Sequence, residues 1–136
     1  MSVYGVTKGT EFEKMVSGMA QAEASGTMVY YALARLAREQ GFDDVADKFI
    51  EIANQEAVHA GFYAVLNGQY PQDFWEFAAS MQKAEENAEG HIMEIADKVR
   101  SLGCEEAAKE IDVFAEQEKN HGVILAELMA KYRPKA

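Results

Sequence analysis

Apolar residues recur every three to four positions along most of the chain, and this rhythm predicts four long amphipathic helices. The first opens at Thr10-Glu11-Phe12-Glu13, a capping box in which the Thr hydroxyl and the Glu three residues on can satisfy exposed backbone N–H groups. It runs to about Gln40 and stops at Gly41. Asp43 or Asp44 then caps a second helix, which reaches about Leu66 and ends at Asn67-Gly68. After Tyr70-Pro71, Asp73-Phe74-Trp75-Glu76 opens a third helix that ends near Leu102-Gly103. A fourth runs from about Glu105 to Tyr132, and Pro134 prevents its continuation. Long helices joined by glycine-centred turns make two αα-hairpins, about 10–67 and 73–132. The expected fold is all-α, a four-helix bundle forming a single domain over residues 1–136.

The two hairpins are copies of one another. Glu56-Ala57-Val58-His59 and Glu118-Lys119-Asn120-His121 share the pattern Glu-x-x-His and lie 62 positions apart. The same shift pairs Glu23 with Glu85, Arg38 with Arg100, Gly41 with Gly103, Ala46 with Ala108 and Ala53 with Ala115. It also pairs Gln55 with Gln117 and Tyr70 with Tyr132. The chain carries an internal duplication, and what it repeats includes a set of metal-ligating residue types.

Each repeated glutamate falls on the apolar stripe of its helix. Glu23 shares a face with Val16, Met19, Ala20 and Tyr30, and Glu56 with Phe49, Ile52, Ala53 and Tyr63. Glu85 shares one with Ala78, Met81, Ala88 and Ile92, and Glu118 with Ile111, Phe114, Ala115 and Leu125. His59 and His121, three residues after a glutamate, project from the same stripes. Four carboxylates in one bundle core repel and lose hydration unless cations compensate, and two histidines cannot supply four positive charges. Two metal ions can. One Glu from each of two helices plus Glu-x-x-His from each of the other two is the di-iron or di-manganese arrangement of ferritin-like bundles. Oxygen-rich ligation with two imidazoles suits iron or manganese, and zinc also fits.

Residues outside the repeated set read less symmetrically. Glu89, one turn beyond Glu85, faces Thr27 across the repeat and is either a seventh ligand or a charge on the helix flank. Tyr30, two turns beyond Glu23, is a candidate hydrogen-bond donor at the site or a core aromatic. Gln55 and Gln117 read as flank residues and His91 as solvent-exposed, while Cys104 reads as a packing residue.

Composition narrows the function classes. Helix formers dominate, and the formal charge of −10 argues against nucleic acid or an anionic membrane as partner. One cysteine excludes an internal disulfide and any site of four thiolates. With no signal-like start and no apolar run of membrane-spanning length, the expected location is cytoplasmic.

Taken together, Ala22-Glu23-Ala24-Ser25, Gln55-Glu56-Ala57-Val58-His59-Ala60 and Gln117-Glu118-Lys119-Asn120-His121 resemble the ferritin-like domain of the rubrerythrin family over residues 10–132. The resemblance implies a non-haem di-iron centre that reduces hydrogen peroxide to water, with a role in oxidative-stress defence. It carries over Glu23, Glu56, His59, Glu85, Glu118 and His121 as ligands. Two departures stand out. The family's third helix usually carries Glu-x-x-Glu, whereas here Glu85 is followed at that spacing by Ala88, leaving Glu86-x-x-Glu89 or Glu85 with Glu89. The usual rubredoxin domain is also missing, so electrons are expected from a separate donor protein such as a rubredoxin. Dioxygen-using ferroxidase activity, or a non-catalytic metal-binding bundle, are the competing expectations.

The link between the hairpins bears on assembly. Parallel second and third helices need a connection on the order of 30 Å, given about 1.5 Å of rise per residue. A linker of about six residues reaches about 20 Å. The expectation is a domain-swapped homodimer, in which hairpins pair with those of a second chain.

Overall fold

A computed structural model of the protein describes residues 1–135. It contains four helices, α1 (Glu13–Glu39), α2 (Asp43–Leu66), α3 (Phe74–Ser101) and α4 (Glu105–Tyr132). α1 packs against α2 and α3 against α4, giving an all-α chain of two helical hairpins. The described chain divides into two compact units, residues 1–72 and 73–135. Each unit is one hairpin.

Alanines line the seam inside each hairpin. Ala34, Ala46 and Ala53 are buried in the first, and their repeat mates Ala96, Ala108 and Ala115 in the second. Small side chains at these positions let the two backbones approach closely, so the ligand-bearing helices are held side by side. An arginine clamps each turn. Arg38 donates to Asp47 at 2.9 Å and lies 3.6 Å from Asp43. Arg100 donates to Glu105, Asp112 and Asp97 at 2.8, 2.8 and 2.9 Å. Gly41 closes the first turn at φ +85°, a conformation that favours glycine. The adjoining bonds, Gly41 N–H to Arg38 C=O and Phe42 N–H to Ala37 C=O, are those of a Schellman cap.

Two capping expectations are corrected. α1 begins at Glu13, two residues later than the Thr10 capping box implies, and Phe12 caps it without a side-chain bond. Thr10 instead accepts from Phe12 N–H at 3.2 Å and donates to Thr7 C=O at 2.6 Å, organising the turns that precede the helix. Asp43 and Asp44 lie inside the first turn of α2, where their charge favours the helix N-terminus, and Phe42 holds the capping position. Asp73 does cap α3, accepting from Trp75 N–H at 3.3 Å.

The first unit has an extra part. Residues before α1 turn back along the end of α2: Gly5 N–H bonds Val65 C=O, and Thr7 N–H bonds Leu66 C=O. Asn67, only 8 % exposed, ties the parts together. It accepts from the Thr7 hydroxyl at 2.9 Å and donates to Glu13 C=O at 3.0 Å. No helix among the described residues is long and apolar enough to cross a membrane.

Candidate metal centre

Folding each hairpin gathers one glutamate from its first helix with the Glu-x-x-His of its second. In the first hairpin Glu23, Glu56 and His59 offer ligand atoms that all lie within 4.8 Å of one another. His59 Nδ1 is 3.6 Å from Glu23 and 3.9 Å from Glu56. In the second hairpin Glu85, Glu118 and His121 form the same group, with His121 Nδ1 3.6 Å from Glu85 and 3.4 Å from Glu118. The duplication seen in the sequence is therefore a duplication of geometry. Spacing explains it: Glu and His three apart on one helix share a face, and the antiparallel partner delivers its glutamate to the same level.

Both triads show the electrostatics of carboxylates lacking a counterion. In the first, Glu23 Oε2 is buried without a hydrogen-bond partner. An orphaned carboxylate oxygen is costly to bury, and a cation placed among the three ligands removes that cost. In the second, the hydrogen bond with Glu118 raises Glu85 above the ordinary carboxylate value, with burial and the negative charge of Glu118 adding to the rise. The same bond lowers Glu118, which accepts it. A divalent cation among these ligands would offset the charge of both carboxylates. Two carboxylates and an imidazole suit a divalent first-row metal, so the residues fit such an ion.

The other site candidates are placed as follows. Glu89 stands outside the triad groups, with its carboxylate 3.8 Å from Lys119 Nζ. Glu86 is exposed and accepts from Gln82 Nε2 at 2.9 Å. Tyr30 is half-buried, its ring 6.0 Å from that of Phe49. Gln55, Gln117 and His91 are exposed. Cys104 is exposed too, which corrects the packing role expected of it. It caps α4 beyond the helix seam, and its repeat mate Phe42 is exposed in the same place.

Glycines make room for acidic side chains, one of them a triad member. A Cβ on Gly26 would meet the Glu56 carboxyl at 3.5 Å, and one on Gly122 would meet Glu86 Cγ at 3.1 Å. Sequence reasoning passed over Lys119, whose repeat mate is Ala57. The signal was available, since a charge facing an alanine across a duplication marks a broken symmetry.

The rubrerythrin family model matches residues 18–80, a span that includes the first triad. The chain is 34 % identical over 128 residues to an uncharacterized protein of Methanocaldococcus jannaschii, covering 94 % of this chain and 91 % of that protein. It is 28 % identical over 131 residues to reverse rubrerythrin-1 of Clostridium acetobutylicum, covering 94 % of this chain and 72 % of that protein. No solved structure matches the chain significantly. With its helical hairpins and its repeated Glu-Glu-His groups, the chain is similar to the rubrerythrin family, most directly over residues 18–80.

Proposed function

We propose that the two triads form a dinuclear non-haem iron centre and that the protein reduces hydrogen peroxide to water with electrons from an external donor such as a rubredoxin. The observation that carries this reading is the second triad: a matched set of two carboxylates and one imidazole in each hairpin. Glu23, Glu56 and His59 hold one ion in this reading, and Glu85, Glu118 and His121 the other. Glu89 is a further carboxylate donor one turn from Glu85. Iron bound there supplies Lewis acidity and the two electrons that, with two protons, convert peroxide to two waters.

The protein's own groups have distinct parts. The four carboxylates balance the charge of the ions, and each imidazole turns Nδ1 toward its glutamates. Tyr30 donates a hydrogen bond to the oxidant or to a carboxylate ligand. Manganese satisfies the same donors, and zinc would occupy them without redox activity. The family resemblance of the whole ligand set, together with the similarity to a protein named reverse rubrerythrin, supports peroxide as oxidant.

Apolar side chains are exposed on both hairpins, among them Met19, Leu33 and Phe62 on the first and Met81, Ile95 and Phe114 on the second. We therefore place the complete centre in a homodimer whose hairpins pair across chains, and light scattering at low micromolar concentration should find two chains per particle. A monomer would overturn the dimer. Stopped-flow mixing of the reduced, iron-loaded protein with peroxide or dioxygen tests the chemistry. Oxidation is expected to be faster with peroxide. A rate no faster than with dioxygen would make the protein a ferroxidase or iron-handling protein, and purification with zinc alone would make it a non-catalytic metal binder.

A further inference from the structure

The duplication breaks in a concentrated way around one triad. Glu89, Lys119 and Glu86 have as repeat mates Thr27, Ala57 and Ala24, so three charged residues of the second hairpin face uncharged ones in the first. In the first hairpin the Thr27 hydroxyl donates to Glu23 C=O at 3.1 Å and is spent on its own helix. In the second, Glu89 stands one turn beyond Glu85 on α3, and Lys119 stands between Glu118 and His121 on α4. Resting on the metal-centre reading, we propose that Lys119 is a positioning residue that tethers Glu89 and so sets whether a third carboxylate joins the metal ion held by Glu85, Glu118 and His121.

The geometry supports a tether that can release. Lys119 Nζ and Glu89 Oε1 are 3.8 Å apart, too long for a hydrogen bond, so the ammonium restrains the carboxylate without committing its lone pairs. Glu89 is half-buried while the Lys119 side chain is 65 % exposed, and an ion pair with one solvated member is a weak restraint. A divalent ion in the triad competes for the same carboxylate with twice the charge. Glu86, the other acidic group of this flank, is engaged by Gln82 and lies against Gly122, whereas Glu89 is paired with Lys119. The two halves of the centre then differ in kind. The ion of the second triad gains an oxygen ligand when Glu89 is released, and the ion of the first has no equivalent donor at the matching position.

Cobalt(II) binding to the full chain tests this, read by visible d–d absorption and by affinity. His59→Ala leaves the second triad intact and His121→Ala the first, with Glu56→Gln replacing His59→Ala if that variant fails to fold. On the His59→Ala background, Lys119→Ala is expected to weaken the cobalt band as the coordination number rises, and to tighten binding about threefold. Lys119→Arg should keep the parent spectrum, and Glu89→Gln added to Lys119→Ala should reverse both changes. On the His121→Ala background, Lys119→Ala should leave the band unchanged. A change in affinity without a change in band, or one that Glu89→Gln does not reverse, would reduce Lys119 to a nearby charge and overturn the proposal. An unmodified chain that binds no cobalt would overturn the metal-centre reading as well.

Discussion

The ends of the two hairpins away from their turns are built from equivalent positions and finished differently. In the first, the residues preceding α1 fold back onto α2, and a polar cleft of about 710 Å³ lies among Lys8, Glu13, Lys14, Asn67 and Gln69. In the second, Phe74, Trp75, Leu125, Leu128, Met129 and Tyr132 line an apolar cavity of about 410 Å³. Asn67 and Met129 are repeat mates, as are Glu13 and Trp75. The triads between these ends and the turns keep the same ligands and nearly the same spacings. A duplicated scaffold can thus diverge at its ends and flanks while the ligand level stays fixed, because the alanine seam that sets helix separation is common to both copies.

The strongest way to break the equivalence is to remove one imidazole at a time. His59→Ala and His121→Ala are each expected to lower bound metal by about one ion per chain, measured by elemental analysis after iron or manganese loading. Equal losses would establish the two triads as matched sites. A chain that loses all its metal from either change would instead show that neither ion is held without the other.

The braced end gives the next largest effect. Asn67→Ala removes a buried amide that bonds both Thr7 and Glu13 and should destabilise the protein by about 1–3 kcal/mol in urea unfolding. Met129→Ala, at the equivalent position of the second hairpin, removes packing but no polar bond. If the two variants unfold alike in their loss of Thr7 contacts, as read by amide exchange at Gly5 and Thr7, then Asn67 is not the tie.

The smallest effect is a pH dependence of the metal-free protein. Glu85 is raised in the folded state, so its contribution is full below the ordinary value of 4.5 and is lost as pH rises through its raised value. Glu118 is lowered, so its contribution is present above 4.5 and is lost as pH falls through its lowered value. The pair therefore favours folding most near the ordinary carboxylate value. Thermal unfolding should show stability declining above it, and Glu85→Gln should flatten that decline. Saturating metal should also remove it. Glu23→Gln, at the matching position of the first triad, supplies the internal comparison.

Much of this organisation was legible in the sequence because it repeats. Helix ends at Gly41, Gly68 and Gly103 follow from residues that accept positive φ, and the ligand triads follow from Glu-x-x-His and its partner glutamate at constant spacing. What escaped was what depends on contacts between distant residues. Thr10 matched a capping box locally, yet its hydroxyl is drawn to Thr7 and Phe12 because the preceding segment is anchored on α2. Cys104 looked like packing by its neighbours, but the turn carries it beyond the seam. Periodicity placed Glu89 correctly on its helix. Its partner Lys119, on another helix, required the fold.

Because each triad is closed within one hairpin, its assembly is local in time as well as in space. The chain has supplied every ligand of the first triad by residue 59, before any of α3 has been made. Short-range helix pairing of this kind is among the faster folding events, since little loop entropy is lost before contacts form. In the metal-centre reading, the ligands of the first triad are thus all supplied before the second hairpin begins, and the order of synthesis is an order of ligand supply.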